Sequence, residues 1–311
     1  MSMNPCGAGL SPRRLTNAAG ASLLLGSPDR FMWDRFSYVF SVSKTKGSLR
    51  NPHTLNTYRF STGPGAFTLI EVLVVVAIIA LLLAILLPSL TQARHVTRST
   101  VCQSNLRQFA IASYTYAQGN KDRYPIAYYT AFKSPLVISY AWDFTTIKDW
   151  SAGGRLVVKP GLLWQGGQTI MQVQQCPSFD GKANWLVDPY TGYNYNTSYI
   201  GHGGSESIRE PALITNVHRP AECALFGDAG YRGGSNKFMR APWKNPGDEA
   251  FTGRYAGTQG YRHLGKTNVA FCDGHAQGWG KLYSETYECD KSNIAPGTGF
   301  LSPDNRLYDL E

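Results

Sequence analysis

The sequence lacks the short motifs that mark several common classes of enzyme. It contains no Gly-x-Ser-x-Gly nucleophile motif, no phosphate-binding glycine loop and no His-Glu-x-x-His metalloprotease motif. No Cys-x-x-Cys pair occurs, which argues against a zinc ribbon, and no internal repeat is found. We therefore expect a protein that is not an enzyme and has no cofactor, with a divalent metal kept as an alternative.

A dense basic patch is also missing from most of the chain. The net charge is +9, but residues 1–66 hold eight basic and two acidic residues, so the remaining chain carries only +3. Nucleic-acid binding proteins show clustered Lys and Arg on one face, so we expect no nucleic-acid partner. Residues 1–66 are poor in acids and have no clear hydrophobic period, which predicts a basic leader rather than a domain.

One long apolar segment, Phe67–Leu87, dominates the sequence. Sixteen consecutive residues, Val72–Leu87, carry no polar side chain. A 21-residue helix spans about 30 Å, the thickness of the hydrocarbon core of a bilayer, so residues 67–87 are predicted to form a transmembrane helix. Glu71 interrupts the segment. A carboxylate at such a position is unfavourable without a partner, which makes Glu71 a candidate functional residue.

The segment Gly65–Glu71 (GAFTLIE), followed by the apolar run, resembles the processing site of type IV prepilins and type II secretion pseudopilins. The resemblance implies that a prepilin peptidase cuts before Phe67, that the new N-terminus is methylated, and that Glu71 guides assembly. This family usually has Gly directly before Phe, a position held here by Ala66. Cleavage after Ala66 keeps the family's Phe-to-Glu spacing, whereas cleavage after Gly65 lengthens it by one residue.

The resemblance also implies a location and partners. It places the chain in a bacterial inner membrane with a single pass and an extracytoplasmic C-terminal domain. Arginines within 20 residues of the apolar run do not favour this orientation by themselves, since two precede it and three follow it. The implied partners are the prepilin peptidase, the membrane and other pseudopilin subunits.

The helix is predicted to continue beyond the membrane, through residues 88–118, to a C-cap at Gly119-Asn120. Pro88 can kink a helix without ending it. A stripe of apolar or small residues supports the continuation: Leu90, Ala93, Val101, Leu106, Phe109, Ala110, Ser113 and Ala117.

Residues 119–311 are predicted to form a β-rich domain, which makes the fold class α+β with an antiparallel sheet packed on the helix. Short β-type runs alternate with turn signals at Arg155–Val158, Ala221–Phe226, Asn268–Cys272 and Ala276–Trp279. Five cysteines follow the leader, namely Cys102, Cys176, Cys223, Cys272 and Cys289. Their odd number leaves at least one unpaired, and their spacing does not reveal a pairing.

A second motif lies between His263 and His275. Asp273-Gly274 between two β-type runs predicts a hairpin, around residues 263–279, with a two-residue turn. The spacing of His, nine residues and Asp-Gly resembles the C-terminal motif of a prepilin-like family abundant in planctomycete-type bacteria. Members of that family often show segments like Cys102–Gln108 and Cys176–Ser178.

The side chains of this motif allow three interpretations. His263, Asp273 and His275 could meet around the hairpin, with Asp228 nearby, and two histidines with a carboxylate can bind a divalent metal. In the structural interpretation, which we favour, Asp273 caps a turn, Gly274 accepts a positive φ and His263 bonds to the hairpin backbone. Catalysis is the third interpretation.

Tryptophans offer another candidate surface. Trp142, Trp150, Trp164, Trp185 and Trp243, interleaved with Tyr and Asn, could form a glycan-binding face or part of the core. The resemblance and the apolar segment together imply a pseudopilin-like subunit that assembles through its N-terminal helix into a secretion-type or pilus-like filament. The alternative is a membrane-anchored extracytoplasmic binding or enzymatic domain that does not polymerise.

Overall fold

A long helix followed by two β-sheets makes up the described part of the chain. The computed structural model describes residues 68–164, 171–181, 192–204, 206–231, 234–248, 257–284 and 294–311. The helix, α1, runs from Leu69 to Gly119 and contains Pro88 without ending there. The predicted helix of residues 67–118 is therefore confirmed to within two residues over the part that is described.

The chain divides into two compact units, with the boundary between Ile79 and Ala80 inside α1. The described part of the first unit is Thr68–Ile79, and its large apolar side chains are all exposed. α1 is long and apolar enough to cross a membrane, and none of its most apolar window is buried. Length and composition thus agree with the predicted membrane segment.

The C-terminal part of α1 enters the core of the second unit. Its buried residues are Cys102, Asn105, Leu106, Phe109, Ala110, Ser113 and Ala117. The helical continuation that the apolar stripe predicts is confirmed. Of the residues in that stripe, those from Leu106 onward are buried, whereas Leu90 and Val101 remain 49% and 44% exposed.

The end of α1 differs from the predicted glycine cap. Gly119 is the last helical residue, and the left-handed residues are Lys121 and Asp122, with φ of 56° and 57°. The amide of Asp122 donates to the carbonyl of Ala117, and the side-chain amide of Asn120 donates to the carbonyl of Tyr116. These bonds satisfy carbonyls that the last turn leaves without helical partners.

The first sheet is an antiparallel meander of four strands. In chain order they are β1 (Tyr128–Lys133), β2 (Leu136–Ala141), β3 (Phe144–Asp149) and β4 (Arg155–Pro160). Only β4 was predicted from the sequence. Every residue of β4, the edge strand, is exposed, whereas the start of β3 is buried against the rest of the unit.

The second sheet has seven strands and holds most of the core. They are β5 (Tyr193–Asn196), β6 (Ala224–Gly230), β7 (Phe238–Met239), β8 (Thr258–Gly260), β9 (Thr267–Phe271), β10 (Ala276–Trp279) and β11 (Thr298–Gly299). The order is β10-β9-β6-β5-β7, while β8 pairs with β6 and β11. All pairs are antiparallel except β5 with β7. β6, β9 and β10 match predicted runs, although β6 begins three residues later and ends four residues later than its predicted run.

Phe109 lies at the centre of the contact between α1 and the sheets. Its ring packs edge-on against Trp142, Trp164, Tyr193 and Phe226, at centroid distances of 5.2–5.7 Å. Edge-to-face packing at this distance is favourable for aromatic rings. A second apolar cluster, including Phe271, Leu301 and Tyr308, is built from β6, β7, β9 and the C-terminal segment. The arrangement confirms the α+β class.

Candidate functional site

Glu71 has a partner within its own helix. Residues 65–67, which include the predicted cleavage site, lie outside the described residues. The carboxylate of Glu71 accepts hydrogen bonds from the backbone amide and the hydroxyl of Thr68, each 2.8 Å long. The amide of Glu71 donates to the hydroxyl oxygen of Thr68 at 3.3 Å. This reciprocal arrangement is a capping box, whose Thr-x-x-Glu pattern is visible in the sequence but was not recognised there.

The hairpin between β9 and β10 has a different turn from the predicted one. The amide of Phe271 donates to the carbonyl of His275, and the amide of Gly274 donates to the carbonyl of Phe271. The loop therefore has three residues, Cys272–Gly274, rather than two. Gly274 has φ of +90°, so the left-handed position is at the end of a three-residue loop, which is the usual alternative to a primed turn.

Asp273 and His275 pair with each other and not with His263. One carboxylate oxygen of Asp273 accepts from the backbone amide of His275 at 3.0 Å and lies 2.6 Å from its Nδ1. His263 precedes β9 and Asp273 follows it, so the two residues lie at opposite ends of the strand. The predicted meeting of the three side chains is thus wrong. The predicted turn-capping role of Asp273 agrees with these bonds.

His263 instead belongs to a buried cluster with residues distant in sequence. We call the set Cys102, Cys176, Asp228 and His263 the Cys–Asp–His cluster. Cys102 lies on α1, Cys176 follows the 3-10 helix Met171–Gln174, Asp228 lies on β6, and His263 precedes β9. All four residues are at most 3% exposed. The expectation that Asp228 lies near His263 is confirmed. The predicted bond from the His263 side chain to the hairpin backbone is wrong, because that side chain contacts Asp228 and Cys176 instead.

The possible ligand atoms of the cluster lie close together. Each residue offers one ligand atom, and these four atoms lie within 4.8 Å of one another. The Nε2 of His263 is 3.2 Å from a carboxylate oxygen of Asp228 and 3.8 Å from the Sγ of Cys176. The two sulfur atoms are 3.2 Å apart. Cys176 is thus in contact with both a thiol and an imidazole.

Two neighbouring groups hold the cluster in place. Arg262 lies with its Nε 3.4 Å from the Sγ of Cys176 and its Nη2 3.5 Å from Asp228. The same guanidinium donates to the carbonyls of Ala229 and Gly192. The backbone amide of Asn268 donates to the carboxylate of Asp228 at 2.7 Å. The carboxylate is therefore oriented by β9 on one side and by Arg262 on the other.

These contacts shift the proton affinities of the sulfur and imidazole groups. Burial by itself raises the pKa of Cys176, but hydrogen bonds with Cys102 and His263 have the larger effect and lower the pKa to about 5. Burial lowers the pKa of His263, but hydrogen bonds with Asp228 and Cys176 raise it to about 9. The hydrogen bond with Cys176 and burial raise the pKa of Cys102. The environment therefore favours a thiolate at Cys176 over a neutral thiol.

The cluster is poorly arranged for nucleophilic catalysis. In a catalytic Cys–His pair, the carboxylate orients the imidazole through the nitrogen that does not face the sulfur. Here the single atom Nε2 of His263 faces both Cys176 and Asp228, while the buried Nδ1 has no hydrogen-bond partner among the described residues. All four residues are also too buried to admit a substrate. The arrangement suits the binding of a cation or a bond between the sulfurs.

The remaining cysteines and tryptophans divide between core and surface. Cys223 and Cys272 are buried outside the cluster, and Cys289 lies outside the described residues.

Trp142 is 2% exposed and belongs to the core, which agrees with the interpretation of the tryptophans as core residues. Trp150 and Trp243 are 59% and 40% exposed. Trp164 packs against the core, and Trp185 lies outside the described residues.

Comparison with protein families, with curated proteins and with solved structures gives no match to this chain. The function is therefore inferred from the residues and from the geometry described above.

Proposed function

We propose that this chain is a pseudopilin-like subunit, held in a bilayer by the first part of α1 and assembling with other copies through that helix. One observation carries the proposal. α1 is uninterrupted from Leu69 to Gly119, yet its apolar window is uncovered while the stretch after Val101 lies in a folded core. Uncovered apolar side chains on all faces of a helix need lipid or neighbouring helices around them.

The processing motif supports the same function. The segment Gly65–Glu71 directly precedes the uncovered window, at the position that a peptidase acting at the membrane surface would reach. Cleavage before Phe67 would remove the basic leader and create an amine four residues from Glu71. In a staggered bundle of helices, that amine can reach the carboxylate of a neighbouring copy. Such a pair is strong in a low-dielectric environment, where an unpaired charge is penalised.

A membrane-anchored domain that does not polymerise is the second candidate. The capping box favours it, because Thr68 already donates two hydrogen bonds to Glu71 within one chain. A carboxylate with local donors is less dependent on a partner in another subunit. The two candidates share the anchor and differ only in whether helices of different copies meet.

Processing is tested by determining the N-terminus of the full chain, produced with an active prepilin peptidase and isolated from membranes. We expect a mature chain that begins with N-methylated Phe67. The matched control is the same chain produced without the peptidase, which should keep its leader. An unprocessed N-terminus at Met1 or Met32 in the presence of the active peptidase would exclude this part of the proposal.

Assembly is tested by cysteine crosslinking in membranes. Leu82 is 55% exposed within the apolar window, and Val157 is 38% exposed on β4, so single cysteines at these positions compare helix and domain contacts. We expect crosslinked dimers from Leu82→Cys and much weaker crosslinking from Val157→Cys. Monomers alone from Leu82→Cys, and from cysteines at neighbouring positions around the helix, would favour the non-polymerising anchor.

A further inference from the structure

We propose that the Cys–Asp–His cluster binds one Zn²⁺ ion per chain, with Cys102, Cys176, Asp228 and His263 as its four ligands. Sulfur, imidazole nitrogen and carboxylate oxygen are the donors that zinc prefers in proteins, and four protein ligands make a closed structural site. No zinc-binding spacing is visible along the chain, because the ligands come from four separate segments. This site is distinct from the predicted grouping of His263 with Asp273 and His275.

Three of the distances between ligand atoms are close to those of a tetrahedral site, and all the ligand atoms lie within 4.8 Å of one another. Zinc bonds of about 2.0–2.1 Å to N and O and about 2.3 Å to S place neighbouring ligand atoms about 3.3–3.8 Å apart in a tetrahedron. The distances of 3.2 Å from His263 to Asp228 and 3.8 Å from His263 to Cys176 agree with these lengths. The sulfur atoms of Cys102 and Cys176, at 3.2 Å, must separate by about 0.5 Å.

Charge is balanced when zinc is bound. The ion and the guanidinium of Arg262 together carry three positive charges, and the two thiolates and Asp228 carry three negative charges. A buried group of ions is tolerated only when its charges compensate one another. His263 then serves as a neutral nitrogen ligand, so the full site has no net charge.

Residues around the Cys–Asp–His cluster donate hydrogen bonds to the proposed zinc ligands. Arg262 lies within 3.4 Å of the Sγ of Cys176, and the amide of Asn268 holds the carboxylate of Asp228. Such contacts fix ligands in the orientation that binding needs. A disulfide between Cys102 and Cys176 would use two of the four groups, whereas zinc also uses the buried imidazole and carboxylate aimed at the same point.

The test is the metal content of the full chain, purified in detergent from membranes under anaerobic conditions. We expect about one zinc per chain by elemental mass spectrometry, and its loss in Cys102→Ser and in Asp228→Asn. Cys223→Ser is the matched control, because Cys223 is a buried cysteine outside the cluster and should leave the zinc in place. Arg262→Lys should weaken zinc binding about 10–100-fold, as expected for loss of an outer contact.

A second measurement does not depend on the folding of variants. Wild-type chain exchanged with Co²⁺ should show thiolate-to-cobalt charge-transfer absorption and the intense visible bands of a tetrahedral site. Absence of stoichiometric zinc together with failure to take up Co²⁺ would overturn the proposal. A peptide linking Cys102 to Cys176 by a disulfide, recovered after thiols are blocked in intact membranes, would also overturn it, as would full zinc retention in Cys102→Ser.

Discussion

The carboxylate of Glu71 and the backbone amide of Thr68 are joined by a hydrogen bond of 2.8 Å at the first turn of α1. The same carboxylate is the group that the proposed assembly pairs with the N-terminal amine of a neighbouring copy. Both capping bonds end on the same carboxylate oxygen of Glu71, so the other oxygen can accept from the amine of a neighbouring copy while the capping bonds remain. Variants of the two residues separate these roles.

We expect Glu71→Leu to leave membrane insertion and cleavage largely intact, because it makes the segment more apolar. It should reduce crosslinking between copies carrying Leu82→Cys, since the carboxylate partner of the amine is lost. Thr68→Val removes the hydroxyl of the capping box but keeps the carboxylate, so it should reduce crosslinking much less. Chains are compared at equal membrane abundance, and identical crosslinking in all three would remove Glu71 from assembly.

Truncation of Phe109 should strongly destabilise the domain that follows the apolar window of α1. Its ring is fully buried and contacts four other rings, so Phe109→Ala leaves a large cavity. We expect the free energy of unfolding to fall by about 3–5 kcal/mol. Pulse proteolysis of the full chain in detergent provides the measurement. Ile111→Ala, at a position 63% exposed on the same helix, should change stability by no more than about 0.5 kcal/mol.

Gly274 tests the three-residue hairpin loop. A Cβ at this position would meet no atom within 4 Å, so any effect of Gly274→Ala comes from its left-handed φ of +90°. We expect a loss of about 1–2 kcal/mol. Gly119→Ala is the matched control, since a Cβ there also meets nothing and the residue is helical. It should be neutral or slightly stabilising, and equal losses in both variants would contradict the assigned turn.

Asp273 in the same loop carries a separate prediction. Its carboxylate accepts from the amide and the ring of His275. Asp273→Ala should therefore lower stability by about 1 kcal/mol. Asp273→Asn keeps an acceptor for the amide and should lose less. The zinc content of Asp273→Ala should be unchanged, because Asp273 is not part of the Cys–Asp–His cluster.

Asp149, at the end of β3, provides a test of pH dependence. Hydrogen bonds from the hydroxyl and amide of Ser151, and from the amide of Ala152, lower the pKa of this exposed carboxyl. A depressed carboxyl pKa stabilises the fold above the pKa of the unfolded chain, and this stabilisation is lost as pH falls through the folded pKa. Wild type should therefore be more stable than Asp149→Asn at neutral pH, with the difference vanishing in strong acid. A difference independent of pH would contradict this origin.

Long-range pairing explains why only some of the strands could be predicted from the sequence. α1 was predictable because a long apolar run and helical spacing are local signals. β8 (Thr258–Gly260) and β11 (Thr298–Gly299) contain glycine and have little intrinsic β preference. Their strand conformation depends on pairing, since β8 pairs with both β6 and β11. β1, β2 and β3 are only half-buried and place aromatic residues on both faces, which removes the alternation that identifies a strand.

The candidate site was visible only in pieces. Cys102, Cys176 and His263 each belong to segments that resemble a known family, and Asp228 was singled out beside a turn. Spacing along the chain does not show that four segments converge, because convergence depends on how α1 packs against β6 and β9. His263 was therefore grouped with Asp273 and His275, with Asp228 nearby, and neither cysteine was placed beside it.

The position of Phe109 has a mechanical consequence. The buried part of α1, which carries Cys102 and Phe109, belongs to the same core as the rings of Trp142, Tyr193 and Phe226. A pulling force on this part of α1 therefore acts directly on the aromatic contacts of Phe109, so the helix leaves the domain only when the core itself is disrupted.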